Sequence, residues 1–136
     1  MSLYTKCIFL PAEPSDGERW CIMNRLTLND GQTPDPRLDR AFDKWVRELS
    51  PPGKLVGMHY RGEIPWDQFA INYRTYLTTE KPALMVRALV ALAQIRDITV
   101  LCVEENHQNC HRGILATRCS ELEPRLQVVH RPYHKL

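Results

Sequence analysis

The sequence predicts one α/β domain, a small three-layer sandwich built around a mostly parallel sheet. Short β-rich runs alternate with apolar stripes at helical spacing, which favours strands joined by helical crossovers. Residues 97–103 form a continuous β-branched and apolar run, typical of a central parallel strand covered on both faces. The 136 residues, 43% of them hydrophobic and 25% charged, have the size and composition of a single domain. We expect one domain over residues 1–136, with its core at about 4–130.

A loop separates the first two predicted strands. Residues 4–10 are rich in β-formers and stop at Pro11, which predicts the first strand. Turn formers fill residues 11–17, so this stretch is expected to be a loop. Residues 20–23 are apolar and predict a short second strand, which the sequence Asn29-Asp30-Gly31 follows with a turn.

Helices dominate the middle of the chain. Apolar residues recur at helical spacing from Leu38 to Leu49, and the preceding Asp35 and Pro36 suit an N-cap and a first helical position. This segment is therefore expected to be the clearest amphipathic helix. Further helices are predicted at residues 53–59, 66–77 and 82–95.

The predicted central strand leads into a loop, a helix and a last strand. Residues 104–109 are polar and loop-like, and a helical stripe begins near Cys110 and ends before Pro124. Residues 126–130 predict the final strand, and residues 131–136 form a tail. This order gives at least one right-handed crossover between parallel strands.

Composition and charge exclude several classes of protein. A net charge of +2 without a basic run argues against a nucleic-acid partner. The apolar run 83–95 is too short to span a bilayer and contains Arg87 and Gln94, and residues 1–10 lack the apolar stretch of a signal peptide. We expect a cytoplasmic protein. Its odd number of cysteines predicts reduced thiols rather than a disulfide framework: Cys7, Cys21, Cys102, Cys110 and Cys119.

Side chains suited to chemistry lie where the central strand ends. Open α/β sheets bind ligands beyond the carboxyl ends of their strands, at loops that lead into helix N-termini. Cys102 and Glu104 would face the same side of the strand, roughly 7 Å apart at ~3.3 Å rise per residue. Cys110, His111 and Arg112 fall at the start of the next helix, where free N–H groups and the helix dipole favour an anion.

Each of these residue types has a chemical role and a structural alternative. Arg112 could bind phosphate or carboxylate, while Cys110 could be a nucleophile with His111 as its general acid or base. Glu104 could transfer the proton instead, or pair with Arg112 and hold it in place. Cys102 could be a small buried hydrophobe, and Cys110 or His111 an ordinary residue at a helix start.

The segment around the central strand resembles a known signature. The stretch Thr99–Glu104, a polar loop, and the sequence Cys110-His111-Arg112 before a helix are similar to the C-terminal part of the family called domain of unknown function (DUF) 488. The N-terminal half resembles one branch of that family at residues 11–20, Arg25-Leu26, the predicted helix end at Trp45–Pro51, Phe69, Tyr73 and Leu77. The resemblance implies a compact α/β fold and a site at the Cys-x-Glu and Cys-His-Arg motifs, in a family without an established activity.

Two arginines of the N-terminal half match the same family. If Arg19 and Arg25 reach the sheet edge that holds Arg112, the three form an anion-binding pocket. Alternatively, Arg19 pairs with Asp16 or Glu18 within its own loop, because surface arginines usually find local partners.

The first functional interpretation is an enzyme, or the relic of one, that acts without a cofactor on a small phosphorylated or nucleotide-like anion. Arg112 would bind the anion, and Cys110, His111 or Glu104 would do the chemistry. The Cys-x5-Arg cradle of cysteine phosphatases is absent, since Arg112 comes ten residues after Cys102 and two after Cys110. We expect Arg112→Ala to abolish thermal protection by phosphate-containing ligands and to change the melting temperature of the free protein little.

Two other interpretations stay open. The chain could be a non-catalytic module that binds a ligand or a protein. It could also carry a metal or redox site, although no Cys-x2-Cys pair is present and an adjacent Cys-His pair seldom chelates one ion well. The residues of that site would be Cys102, Glu104, Cys110 and His111. Weaker site candidates are His59, Trp66 and Tyr73, the last two of which are expected in the core or in a pocket lining.

Overall fold

The computed structural model describes residues 1–28 and 30–134; Asn29 of the predicted turn and the last two residues of the predicted tail lie outside them. Within this part of the chain, five parallel strands form one sheet in the order β3-β2-β4-β1-β5. The strands are β1 (Leu3–Cys7), β2 (Glu18–Cys21), β3 (Lys44–Trp45), β4 (Ile98–Cys102) and β5 (Val128–His130). Four α-helices pack on the sheet: α1 (Gly53–Tyr60), α2 (Trp66–Tyr76), α3 (Glu80–Ala93) and α4 (His111–Leu122).

These elements confirm the α/β class and the parallel sheet. β4 lies at the centre of the sheet, and all five of its residues are buried, as its continuous apolar run predicts. The four α-helices begin and end within a few residues of their predicted limits. None of the helices described between residues 1 and 134, Asn29 aside, has the length and hydropathy that crossing a bilayer requires.

The two faces of the sheet are covered differently. Because residues in parallel register present their side chains to the same face, Leu3, Trp20 and Val100 mark a first face. Every α-helix contributes buried residues to the cluster on this face, among them Leu55, Phe69, Leu89 and Leu115. Cys21 and Leu101 mark the second face, where loops and 3-10 turns bring Ile8, Leu38, Phe42 and Leu26 against the sheet.

The helix predicted from Leu38 to Leu49 is wrong. Asp35 does cap a helical turn, but this 3-10 turn spans only Pro36–Leu38, and the chain then passes through Arg40 with a φ of 57°. Further on, the backbone N–H of Asp43 donates to the carbonyl oxygen of Arg19, and that of Val46 donates to the carbonyl oxygen of Cys21. The segment therefore forms β3, which pairs with β2 at the edge of the sheet. The backbone carbonyl groups on the free edge of β2 need hydrogen-bond donors. Pairing with β2 therefore outweighs the helix preference that the apolar spacing of this segment indicates.

A buried ion cluster of Lys6, Asp16 and Arg19 links the loop after β1 to the second face. Lys6 and Arg19 both contact the carboxylate of Asp16, and the three side chains are 5% exposed or less. The carbonyl of Asp16 accepts a hydrogen bond from the Thr99 hydroxyl at 2.7 Å. Burial raises the pKa of the Asp16 carboxyl, but the hydrogen bonds from Lys6, the Glu13 backbone and Arg19 outweigh it and hold the pKa below its ordinary value.

Candidate functional site

A cavity of about 980 Å³ opens at the carboxyl ends of the parallel strands. Phe9 follows β1, Met23 follows β2 and Val103 follows β4, and all three line it. The position is the one at which open α/β sheets bind ligands. Glu104, Cys110 and His111 of the sequence-predicted site lie on the wall of this cavity.

Two of the cysteines meet next to this wall. Cys102 is the last residue of β4, Cys110 is the N-cap of α4, and their sulfur atoms are joined as a disulfide. The expectation that all five thiols are reduced is therefore wrong for this pair, because the loop between β4 and α4 folds back and brings its two ends together. The other three cysteines are free and buried: Cys7, Cys21 and Cys119.

The imidazole of His111 is hydrogen-bonded to the backbone that follows β2. Its Nε2 lies 2.6 Å from the carbonyl oxygen of Ile22. Since a carbonyl only accepts, Nε2 carries the proton, and the unprotonated Nδ1 faces the sulfur of Cys110 at 3.9 Å. Burial lowers the pKa of His111 to about 4, with the Ile22 hydrogen bond acting against this shift and the charge of Arg112 adding to it. The ring is therefore neutral at pH 7.

Arg112 is buried beneath the cluster and does not line the cavity. Its Nη1 donates to the sulfur of Cys102 at 3.2 Å and to the carbonyl oxygen of Glu104 at 2.7 Å, and its Nη2 donates to the carbonyl oxygen of Glu105 at 3.3 Å. These contacts occupy most of the guanidinium and secure the loop after β4. The structure therefore places Arg112 behind the site.

Glu104 presents its side chain to the cavity. Its backbone, rather than its carboxylate, contacts Arg112, so the ion pair considered from the sequence does not occur among the described residues. The carboxylate is close enough to Tyr60 to affect its phenol. Burial raises the pKa of the Tyr60 phenol, the charge of Glu104 raises it further, and the charge of Arg25 lowers it. Glu104, Tyr60 and Arg25 thus surround one space.

The structure separates the two N-terminal arginines. Arg19 lies on the second face, where its Nη1 contacts Asp16, which is the local pairing considered from the sequence. Neither Arg19 nor Arg112 lines the cavity, so the pocket of three arginines considered from the sequence does not form. Arg25 is exposed and lines the cavity, and no carboxylate in residues 1–28 or 30–134 pairs with it.

Aromatic side chains form one part of the cavity wall. Trp66 stacks on Phe69 with ring centroids 5.1 Å apart, and His59 packs on Phe69 at 5.0 Å. The Nδ1 atom of His59 is buried and has no hydrogen-bond partner in the described part of the chain. Tyr73 is fully buried below Phe69, so both Trp66 and Tyr73 have the lining or core positions expected of them.

Sequence analysis missed one further part of the cavity lining. Arg37 lies over the ring of Phe9 at 4.2 Å, and it pairs with Asp35. No local pattern marks these residues, because Phe9 ends in the loop after β1 and Arg37 belongs to a turn wrongly expected to be helical. Phe9 and Arg37 come into contact only because their two loops approach each other on the second face.

The donor atoms of three side chains converge at the base of the cavity. One ligand-type atom each of Cys102, Cys110 and His111 lies within 4.8 Å of the other two. Sulfur and imidazole nitrogen are the donors that soft divalent cations prefer. The arrangement combines a cysteine pair, a neutral imidazole and a buried guanidinium.

Comparison with protein families gives one finding. The family model described as the active DUF488-N3 subclade matches residues 3–121, a range that contains both the Cys-x-Glu and the Cys-His-Arg motifs. The searches of curated proteins and of solved structures returned no match. Because the family model covers most of the chain, this protein belongs to the DUF488 family, in its active DUF488-N3 subclade.

Proposed function

We propose that this protein is an enzyme that binds a small, nucleotide-like anion in the cavity and acts on it at the wall formed by Cys110, His111 and Glu104. The observation that carries the proposal is their position: these groups share one cavity with Arg25 at the carboxyl ends of the strands. A volume of about 980 Å³ is large enough for a nucleotide-sized molecule.

The ligand-binding part of the cavity has a charged side and an aromatic side. Arg25 offers a guanidinium that no carboxylate of the described chain neutralises, which suits a phosphate or carboxylate group. Trp66 and Phe69 offer a stacked aromatic surface, on which a nucleobase packs through its flat face. The unpartnered Nδ1 of His59 supplies a buried hydrogen-bonding atom.

The reacting part of the cavity is formed by Cys110, His111 and Glu104. Cys110 and His111 present a sulfur atom and an imidazole nitrogen 3.9 Å apart. Glu104 is the carboxylate on this wall and serves as the proton-transfer group. Arg112 acts as a positioning residue, because it fixes the Glu104 backbone and the sulfur of Cys102 without reaching the cavity.

Ligand binding tests the proposal first. We expect a nucleoside monophosphate to raise the melting temperature of the protein more than the matching nucleoside or inorganic phosphate does, since it engages both sides of the cavity. Arg25→Ala should weaken nucleotide binding by about 10-fold or more, the loss of one charge-assisted hydrogen bond. Arg74→Ala is the matched control, because Arg74 is half-exposed and pairs with Glu121 away from the cavity.

Turnover tests the reacting wall. Incubation of the reduced protein with a panel of nucleotides, followed by mass spectrometry, should reveal one converted compound. Glu104→Gln should still bind that compound while forming product at least 10-fold more slowly, as expected for a lost proton-transfer group. A protein that no nucleotide or phosphate compound stabilises at millimolar concentration would contradict the proposed ligand class. Binding without conversion of any compound would identify a non-catalytic binding module.

A further inference from the structure

We infer that the reduced protein binds one Zn²⁺, or a similar soft divalent cation, through the sulfur atoms of Cys102 and Cys110 and the Nδ1 atom of His111. These three side chains form the cluster at the base of the cavity, with donor atoms within 4.8 Å of one another. The inference rests on the proposed function only for the catalytic use of the ion, because binding of the ion itself requires no cavity ligand.

The backbone explains how two consecutive residues reach one ion. Neighbouring side chains diverge within a helix or a strand, which makes an adjacent Cys-His pair a poor chelate in either element. Cys110, however, is the N-cap of α4 and has extended angles, with φ −134° and ψ 146°, whereas His111 is the first residue of the helix. The change of chain direction between them turns the Cys110 sulfur and His111 Nδ1 towards each other, 3.9 Å apart.

The cysteine pair is as well placed for a shared cation as for a disulfide. The Cα atoms of Cys102 and Cys110 are 7.4 Å apart, whereas disulfides usually span about 4.4–6.8 Å. In a zinc site each sulfur lies about 2.3 Å from the ion, so the two sulfurs need more room than a disulfide bond gives them. Two electrons and two protons convert the disulfide into two thiols, and a divalent cation then displaces both thiol protons.

Surrounding groups complete the site in the way that metal sites require. Metal-bound histidines commonly donate their second ring N–H to a backbone carbonyl, and Nε2 of His111 does so to Ile22 at 2.6 Å. The Arg112 guanidinium donates to the sulfur of Cys102 at 3.2 Å, which stabilises a thiolate there. Two thiolates balance the charge of the divalent cation, so the ion adds no net positive charge beside Arg112.

The three protein ligands leave a fourth tetrahedral position. Cys110 and His111 both line the cavity, whereas Cys102 is buried beneath them, so the open position faces the cavity. Structural zinc sites use four protein ligands, and catalytic ones keep a position for water or substrate. Glu104, two residues beyond Cys102, lies on the same wall and could exchange a proton with a group bound there.

The wild-type protein in two redox states provides the first test. We expect native mass spectrometry to detect one Zn²⁺ per chain after reduction with a phosphine and addition of one equivalent of zinc. The oxidised protein, whose disulfide removes both thiolates, should hold none under the same conditions. Co²⁺ in place of zinc should give a thiolate-to-metal charge-transfer band and intense tetrahedral absorption in the reduced protein alone. A reduced protein that stays free of metal would overturn the inference.

Variants test the ligand assignment. Cys102→Ser, Cys110→Ser and His111→Gln should each weaken Co²⁺ binding by at least 10-fold, with folding verified by circular dichroism. Cys119→Ser is the matched control, because Cys119 is equally buried but lies outside the cluster. Unchanged Co²⁺ binding by the Cys102→Ser/Cys110→Ser double variant would refute the site. Metal binding without nucleotide binding would refute only the proposed ligand class, and nucleotide binding without metal binding would refute only this inference.

Discussion

Arg112 and Cys102 are joined by an N–H···S hydrogen bond of 3.2 Å that ties the first turn of α4 to the end of β4. The same guanidinium donates to the carbonyl oxygens of Glu104 and Glu105. The loop between the strand and the helix is thus shaped by one buried cation. Its contribution to stability follows from these contacts.

Arg112→Ala should lower the free energy of unfolding, contrary to the expectation from sequence. The substitution removes the three hydrogen bonds that the buried guanidinium donates, and a hydrogen bond to a charged group contributes about 1.5–3 kcal/mol. The measurement is urea unfolding of the reduced protein, with Arg74→Ala as the control for loss of an arginine at the surface. A free energy within 0.5 kcal/mol of the wild-type value, roughly the effect of a surface substitution, would contradict this structural role.

Asp16→Asn should destabilise the protein strongly. The buried carboxylate lies between Lys6 and Arg19, and its loss leaves Arg19 without a carboxylate partner and Lys6 with only that of the exposed Glu13, at a cost of about 3–5 kcal/mol. Thermal unfolding at neutral pH measures the effect, and Asp39→Asn, at an exposed position, is the matched control. Equal melting temperatures for the two variants would be inconsistent with a stabilising ion cluster.

The same carboxylate predicts a loss of stability in acid. The pKa of Asp16 is lower in the folded protein than in the unfolded chain, so its contribution to stability is fully present above the unfolded value of about 3.9. The contribution is lost as the pH falls from that value through the folded pKa, because the unfolded chain takes up the proton first. Urea unfolding between pH 6 and pH 2 should show a steeper decline for the wild type than for Asp16→Asn. Parallel declines would contradict the assignment.

Gly17→Ala should disturb the loop that carries Asp16. Gly17 has a φ of 64° and a ψ of −138°, a region that only glycine adopts readily, and a Cβ atom there would collide with the backbone of Asp97. Gly62→Ala is the matched control, because Gly62 has a φ of 71° but open space around it. We expect the control to lose about 1–2 kcal/mol from the left-handed conformation alone and Gly17→Ala to lose clearly more in chemical denaturation.

Tyr73→Phe should cost about 1–3 kcal/mol, since the Tyr73 hydroxyl donates to the Leu49 carbonyl in the core and the substitution leaves that carbonyl unpaired. Tyr60→Phe is the control, because the hydroxyl of Tyr60 makes no hydrogen bond within the described part of the chain. Differential scanning calorimetry of both variants gives the comparison. Identical unfolding temperatures would mean that the buried hydrogen bond contributes nothing.

Local patterns were sufficient for most of the helices and for the central strand. The apolar residues of α2 and α3 recur at helical spacing, and those of β4 form a continuous run. Both patterns show which side chains must be buried, and this does not depend on which elements cover them. The segment from Leu38 to Leu49 shows where this reasoning stops. Its apolar residues follow a helical period, but Phe42 packs on the second face and Val46 and Leu49 on the first, because the segment passes the edge of the sheet.

The sequence by itself determined the order of strands and helices, the β4–loop–α4 segment and the three consecutive residues Cys110, His111 and Arg112. Only the tertiary structure decided what each of the three does: Cys110 meets Cys102, His111 binds the Ile22 carbonyl, and Arg112 is buried behind the loop. It also decided that Arg19 pairs with Asp16 and that Arg25 lines the cavity. The physical reason is that periodicity records which side chains need burial, whereas partners far apart in the chain set their contacts and directions.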